Sequence, residues 1–453
     1  VQKGHELEIG IDRLAYGGRG VGRVDGFVVF VTGAVPGDLV RVRVTKRRRA
    51  YAEGEVVSIA TPSADRVPAR CPHFGPCGGC AWQHISYPAQ AQAKEAVVRE
   101  SLVRLGGFAD PPVLPIVAAP DPWYYRNKME FSFHPEGMLG LHRRGDWNRI
   151  VPIETCFLQS PMSVAIVGAV REFAQRLGLP AYDPRSHEGF LRSLVVREGR
   201  ATGDCVVGLV TGDGPFAESD AFVAAVRQAA PGVTGVVRGI VGGTSDGAPI
   251  TKVEPLGGRD YLVEELTGLR FRIGLDTFFQ TNTAQAERMV EHVVARAEPA
   301  AGRLLVDLYC GVGTFSLALA RAGARVVGIE LVAASVDAAR ANAALNGLGT
   351  AEFIAGDVRV VLPAVTTQHG PPAVLVLDPP RAGAGGKVMR KIGRSGARRV
   401  IYVSCNPTTL APDLKEIQPF GYHLVDVQPF DLFPQTYHVE AVAVLDRLPG
   451  GAG

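Results

Sequence analysis

The sequence predicts an α/β protein with a parallel sheet in its C-terminal part, a small β-barrel at its N-terminus and an α+β region between. Three observations carry this. From about residue 282, continuous apolar strands alternate with helices, the pattern of a parallel sheet covered on both faces. Residues 5–60 are short Val- and Ile-rich runs punctuated by Gly and Pro. Residues 120–270 mix strands with a helix near 161–178.

In order, "ELEIGIDRLA", "GFVVFV", "DLVRVRVTK" and "AEGEVVSIA" give four or five strands of a barrel of the oligonucleotide-binding kind. "TPSADRVPAR" (61–70) predicts a linker, and 86–106 a helix opened near Pro88 and closed by Gly106-Gly107. "MEFSFH", "FLRSLVVRE", "DCVVGLVTG" and "GVVRGIV" are strands of the middle region. A helix over 283–297 then leads to the strands "RLLVDLYC", "ARVVGIE", "AVLVLDPP" and "RRVIYVSC", with helices between them and one near 385–395. The expected division is 1–62, 63–270 with the linking helix, and 271–453.

The 453 residues, 46% hydrophobic and 21% charged, suit a chain that buries a large core. No window is apolar enough to span a membrane and no signal segment is visible, so a cytoplasmic location with reduced thiols is expected. The net charge of +3 decides little, but "RVRVTKRRRA" (41–50) gathers six basic residues. Arg41, Arg43, Lys46, Arg47, Arg48 and Arg49 are either a solvated edge or a phosphate-binding face.

In such sheets the ligand lies beyond the carboxyl ends of the strands. The first strand ends "VDLYCGVGTF", where Gly311 and Gly313 permit a tight turn and close backbone approach. Glu330 ends the second strand, placed to accept from both hydroxyls of a ribose. Ser316 stands where a dinucleotide fingerprint would have its third Gly. A single nucleoside suits the loop better, and S-adenosylmethionine is the expected ligand. "LDPPR" (377–381) ends another strand and aims Asp378 into the same crevice; Arg381 stands where amino-group methyltransferases carry an aromatic residue.

"YVSCNPTTL" (402–410) puts Cys405 at the end of the next strand, at the mouth of a loop. Alone such a residue reads as a packed, inert thiol; as a nucleophile, a thiolate there can add to carbon 6 of uracil and make carbon 5 nucleophilic. A base must then remove the carbon 5 proton. Glu440, opening the last apolar strand, is placed for that, with His438 as an alternative.

Taken in order, "FFQTN" (278–282), "DLYCGVGTFSL" (307–317), "LDPPR", "YVSCNP" (402–407) and "FPQTYHVE" (433–440) resemble the RNA uracil-5 methyltransferases, over essentially the whole chain. The resemblance implies a Rossmann-like catalytic domain, Cys405 as nucleophile and Glu440 as general base. It implies S-adenosylmethionine contacts from Gln280, Tyr309, Thr314, Glu330, Asp357 and Asp378. An amino-group methyltransferase and a non-catalytic RNA-binding protein are the competing readings.

"CPHFGPCGGCAWQH" gives Cys71, Cys77 and Cys80, spaced C-x5-C-x2-C, and Cys156 is the candidate fourth ligand. Three close cysteines and one distant suit an iron–sulfur cluster, with structural zinc as the alternative. The resemblance implies a [4Fe–4S] cluster on these four. Cys205 and Cys310 are read as core or loop thiols. "LAYGGRGVGRVDGFVVFV" and "GAVPGD" resemble the RNA-binding TRAM domain, which favours the phosphate-binding reading of the basic run. "YYRNKMEF" (124–131) adds Arg126, Asn127 and Lys128 as RNA contacts, with a packed strand that has one charged face as the alternative. The partner expected is RNA, 23S ribosomal RNA before transfer RNA, acted on by a monomer.

Overall fold

The computed structural model describes residues 1–245 and 248–448. The N-terminal sheet contains β1 (Glu6–Gly10), β2 (Arg13–Leu14), β3 (Gly20–Val24), β4 (Phe27–Thr32), β5 (Leu39–Arg47) and β6 (Tyr51–Thr61), in the order β1-β5-β6-β4-β3-β2. It curls so far that a Cβ on Gly22 of β3 would stand 2.3 Å from the Gly10 oxygen of β1. Only glycine allows the two strands that close. Ile9, Val29, Val31, Val40, Val42 and Val44 fill the interior. Along β5 they alternate with exposed Arg41 and Arg43, the period-2 signature of a half-buried strand.

Helix α1 (Tyr87–Ser101) begins with Pro88 in its first turn and runs into a π-helical turn that ends at Gly107, whose φ of +75° suits glycine. The sequence reading grouped this helix with the middle region. Its buried face packs elsewhere: Val98 and Leu102 join the core of the C-terminal sheet, and the two stretches of helix contact its helix 407–417.

The middle region holds β7 (Lys128–His134), β8 (Met138–Arg143), β9 (Asp146–Pro152), α2 (Pro161–Leu177), β10 (Leu191–Glu198), β11 (Cys205–Thr211), α3 (Ser219–Ala229), β12 (Gly235–Val241) and β13 (Ile250–Gly258). Its seven strands are ordered β13-β12-β11-β10-β7-β8-β9. A hairpin, β14 (Tyr261–Leu266) and β15 (Leu269–Gly274), leads to the C-terminal unit.

That unit runs α4 (Thr283–Ala297), β16 (Leu304–Leu308), α5 (Thr314–Arg321), β17 (Arg325–Glu330), α6 (Ala333–Leu345), β18 (Ala351–Ala355), α7 (Val358–His369), β19 (Val374–Leu377), α8 (Gly385–Arg394), β20 (Arg399–Ser404), α9 (Pro407–Ile417), β21 (Tyr422–Phe430) and β22 (Glu440–Arg447). The sheet order is β18-β17-β16-β19-β20-β22-β21. Strands 16 to 20 are parallel, and β22 is antiparallel to both its neighbours. Successive residues point to opposite faces. Leu305, Val326, Val376 and Ile401 serve one core, while Val306, Val327, Leu375 and Val400 serve the other. This is why the strands read as unbroken apolar runs.

One expectation is corrected here. Cys405 does not open onto a loop. Pro407 starts α9, and the Asn406 side chain caps it by accepting from Thr408 N at 3.0 Å. Proline lacks only a donor that the first helical turn does not need, so Asn-Pro begins a helix here.

The segment 431–439 between the last two strands is held by buried polar contacts. Lys94 of α1 and Asp431 pair at 2.6 Å with both side chains fully inaccessible, and Lys94 also donates to Phe433 O at 3.0 Å. Gln90 Nε2 donates to Gln435 Oε1 at 3.0 Å, and Gln90 Oε1 accepts from Gln435 N at 2.9 Å. Removing one member of a buried pair strands the other charge. Lys94→Met should therefore destabilise the protein by about 3–5 kcal/mol in urea unfolding, and Lys94→Met with Asp431→Leu should recover most of the loss. An unchanged midpoint for the single variant would show that the pair does not hold this segment.

Candidate active site

The parallel strands end at one edge of the sheet. Strand order reverses between β16 and β19, and the crevice lies there. Tyr309 follows β16 with φ +61°, a left-handed conformation that is costly for a residue with a Cβ. Gly311 and Gly313 follow at +53° and +90°, and Gly313 caps α5 without a side chain, while the Ser316 amide of the first turn bonds to Asp307. Thr314 is the first residue of α5.

Ser316, read as a missing glycine, has a role of its own. Its hydroxyl donates to Asp307 Oδ2 at 2.5 Å, while Asp307 Oδ1 is buried without a partner. Burial pushes Asp307 up to about 7 against the pull of that hydrogen bond. Sequence reasoning passed over Asp307, although it opens the "DLYCG" motif that was singled out.

Glu330 ends β17 with its carboxylate turned back to the loop. It accepts from Gly311 N at 3.2 Å and from Val332 N at 2.9 Å. Leu331 and Val332 beside it are 68% and 54% exposed, and Val360 is 71% exposed. These apolar surfaces at the crevice edge suit a flat heterocycle, and nothing in the sequence marked them. Asp357 caps α7 and is ion-paired to Arg359, which holds its carboxyl down at about 2. Gln280 is buried and its Nε2 donates to Asp378 Oδ2 at 3.4 Å.

The thiol and the two carboxylates come together by register. Strands β20 and β22 pair Ser404 with Ala441, so the next step along the ladder sets Cys405 beside Glu440. Leu377 of β19 pairs with Tyr402 of β20, so Asp378 emerges at the same edge. Their ionisation is correspondingly hard. Cys405 is pushed up to about 12, first by burial and then by the charges of Glu440 and Asp378; Arg381 pulls the other way. Burial, with Asp378 adding, pushes Glu440 well above the usual carboxylate range. Burial also takes Asp378 up to about 7, with Asp307 adding. His438 is pulled down to about 4 by burial and by Arg381, so it is neutral and weakly basic at pH 7.

The barrel reaches this crevice. Arg381 Nη2 donates to the Tyr16 hydroxyl at 3.3 Å and lies 3.5 Å from His438 Nδ1. The Tyr16 and Tyr437 rings meet edge to face, 5.9 Å between centroids. Tyr16 carried no signal in the sequence, being one aromatic residue in a glycine-rich turn.

Cys71, Cys77, Cys80 and Cys156 converge on one small cavity walled by Met129, Leu141 and Ile153. All four are free thiols. Burial raises Cys77, Cys80 and Cys156, and Cys71 adds to each. Soft donors in an apolar cavity fit in kind what an iron–sulfur cluster needs. Among the described residues no group of three or more His, Cys, Asp or Glu is close enough to hold a metal ion. Cys205 and Cys310 are buried, as read.

Of the expected RNA contacts, Arg41, Arg43, Lys46, Arg47, Arg48 and Arg49 lie exposed on or just beyond β5. Arg43 is paired to Glu6 at 2.9 Å, and Arg47 donates to Val1 O at 3.1 Å. Asn127 is a correction. Its side chain is buried and donates to Gln280 O at 2.8 Å and to Thr283 Oγ1 at 2.9 Å, so it holds the segment that leads into α4 and is closed to RNA. Lys128 is half-buried at the start of β7 and burial lowers it. Arg126 is half-buried, with its Nε buried and unpartnered.

Residues 256–359 and 366–448 match the model of the tRNA (Uracil-5-)-methyltransferase family, and residues 1–57 match the TRAM domain. An uncharacterized RNA methyltransferase of Gloeobacter violaceus is 40% identical over 98% of this chain and 97% of its own. One from Nitratidesulfovibrio vulgaris is 41% identical over 98% and 96%. The chain belongs to the S-adenosylmethionine-dependent RNA uracil-5-methyltransferase family. Among solved structures, the tRNA (uracil-54, C5)-methyltransferase of Pyrococcus abyssi, in complex with S-adenosyl-L-homocysteine, aligns with a TM-score of 0.76 and 27% identity over 97% of this chain and 100% of its own. Family membership bears out the fold class, the TRAM barrel and the enzyme class expected from the sequence. No helix among the described residues is long and apolar enough to cross a membrane.

A thiol with its pKa at about 12 stays protonated at neutral pH. Iodoacetamide should therefore label Cys405 slowly at pH 8, with the rate still climbing above pH 10, as read from the Cys405 peptide by mass spectrometry. Glu440→Gln should speed labelling, because it removes a carboxylate that opposes the thiolate. A rate that levels near pH 9 would show an unperturbed thiol.

Proposed function

We propose that the chain methylates carbon 5 of one uridine in RNA through a covalent Cys405 adduct, with Glu440 as the base. The juxtaposition of Cys405 and Glu440 across the β20–β22 ladder carries this reading. S-adenosylmethionine supplies an electrophilic methyl group on a positive sulfonium. Asp307, Glu330, Gln280, Tyr309, Thr314, Asp357 and Asp378 line or approach the crevice that would hold it, with Leu331 and Val360 as apolar walls for adenine.

The Cys405 thiolate adds to carbon 6 of uracil, and the electron pair of the ring double bond becomes available at carbon 5. Carbon 5 would take the methyl group as the sulfonium's carbon–sulfur bond breaks, its electron pair staying on sulfur. Glu440 accepts the carbon 5 proton, the double bond re-forms, and the carbon–sulfur bond breaks to return the thiolate. A carboxylate whose pKa is raised is the stronger base, which favours Glu440 over His438. A positive charge in a crevice holding Asp378, Glu440 and Cys405 favours the ionised form of each, so the methyl donor would also prepare the nucleophile.

In this reading residues 1–62 grip RNA, the middle region holds a structural [4Fe–4S] cluster on Cys71, Cys77, Cys80 and Cys156, and residues 271–453 carry the chemistry in a monomer. The RNA is 23S ribosomal RNA, a choice resting on the barrel and the cysteines together. Transfer RNA is the second reading. The Pyrococcus abyssi relative, aligned along its whole length, is described as acting there.

RNA tritiated at carbon 5 of uracil decides both points. Ribosomal and transfer RNA, incubated separately with protein and S-adenosylmethionine, should give release to water from one and not the other. Cys405→Ala should lower that release by at least about 10³-fold, the scale expected for loss of a covalent nucleophile. Glu440→Gln should accumulate a denaturation-resistant protein–RNA adduct, since methyl transfer proceeds and elimination is blocked. Methyl incorporation without tritium release would point to an amino group instead.

A further inference from the structure

A cleft of about 460 Å³ lies outside the crevice, between the barrel and the cysteine loop. We infer that it holds one nucleotide of a single-stranded RNA segment, its base against Phe74 and His84 and its phosphate on Arg143 and Arg144. The inference rests on the RNA-methylation reading and adds a second anchoring point to it.

The volume is within the range of small-molecule pockets. The cysteine loop forms the floor by pairing with the turn after β8: Gly78 N donates to His142 O at 3.0 Å, and Arg144 N to Pro76 O at 2.8 Å. This sets Arg143 and Arg144 at the edge. Arg143 is exposed, and its side chain has no hydrogen bond or ion pair among the described residues. The Arg144 guanidinium donates to Cys80 O and lies 5.6 Å from the Phe74 ring centre, with other N–H groups still to place. Arg66, also lining the cleft, is neutralised by Asp38 at 2.5 Å. Glu55 is the one carboxylate in the lining. It repels a phosphate close by, but it can accept from a base amino group or a ribose hydroxyl.

His84 gives the cleft an aromatic wall beside Phe74. It is only 9% exposed, lines the cleft, and neither ring nitrogen has a hydrogen-bond partner. Burial, with Arg66 and Arg144 adding, pulls it down to about 4, so the ring is neutral at neutral pH, and both of its nitrogens are closed to solvent. Its ring tilts against Phe74 with centroids 5.3 Å apart, which leaves an aromatic surface for stacking.

The position argues for a strand of RNA and against a free nucleotide. Glu55 is the register partner of Arg43, so the cleft adjoins the basic face of β5. On its other side the same cysteine loop touches the catalytic segment: Ala81 N and Trp82 N both donate to Gln435 O, at 2.9 and 3.0 Å. An RNA strand lying from β5 toward Cys405 passes this cleft.

The test uses the full-length protein and a 12-nucleotide oligouridylate carrying a single 4-thiouridine, moved along the strand. Irradiation should cross-link at least one position to the peptide that spans Phe74 and His84. Arg143→Ala should weaken oligonucleotide binding about tenfold and reduce the slope of log K against log salt by about one. Phe74→Leu should weaken binding similarly, and Phe74→Tyr should keep it. Cross-links confined to other peptides, or wild-type binding by both Arg143→Ala and Phe74→Leu, would overturn the inference. So would uridine monophosphate that binds as tightly as the oligonucleotide, since the site would then take free nucleotides. Tritium release from natural RNA by the wild-type protein tests the methylation reading separately: release without the cross-link removes only the cleft.

Discussion

Strand β22 runs antiparallel between β20 and β21, and this reversal brings the start of the last strand to the edge where the parallel strands end. Without it Glu440 would lie at the opposite edge, a full strand length from Cys405. With it, a thiol and a carboxylate distant in sequence become ladder neighbours. The cost is electrostatic. Cys405, Glu440 and Asp378 sit together at this edge; burial raises all three, Asp378 adds to Glu440, and both carboxylates add to Cys405. A site of this kind is poised for a cation, and a sulfonium is one.

The segment that delivers Glu440 is fixed from outside the sheet. Lys94 and Gln90 on α1 meet Asp431, Phe433 and Gln435 with buried polar contacts, and the Tyr125 hydroxyl donates to Pro434 O at 3.0 Å. Contacts of this type specify geometry more than they add stability, because burying a charged pair costs much of what the pairing gains. Here they fix the segment between β21 and β22, at whose end Glu440 stands. Helix α1 thus works for the catalytic unit, although about 180 residues and a whole sheet separate it from that unit in sequence.

Barrel, cysteine loop and crevice meet around the same segment. Trp82 donates through its indole to Gly18 O at 3.1 Å, and a Cβ on Gly18 would stand 3.0 Å from the Tyr437 ring. Glycine at φ +86° is therefore needed there for both backbone conformation and close approach. The barrel touches the active site as well as offering a basic face to solvent. RNA bound to the barrel would lie next to the crevice.

Much of this was legible in the chain. Local patterns set the strands and helices of the C-terminal sheet, because alternate burial on two faces leaves an unbroken apolar run that no other arrangement explains. The glycines of 311–313, the acidic end of β17, and Cys405 after its strand were readable because each requirement is local. Asn406-Pro407 was misread as a loop because a proline that stops a strand and one that starts a helix look alike until the next turn is built. Asn127 was misassigned because a polar residue between Arg and Lys looks solvent-facing, and only the packing of β7 on 280–283 shows it buried. Tyr16, Lys94, His84 and the pairing of α1 with the last loop left no trace in any local window. Sequence by itself determined which elements form and which residue types end them, since backbone and hydrophobic periodicity act over a few residues. Tertiary structure alone decided which distant side chains share a low-dielectric site, because that depends on strand order and register between segments the chain does not place side by side.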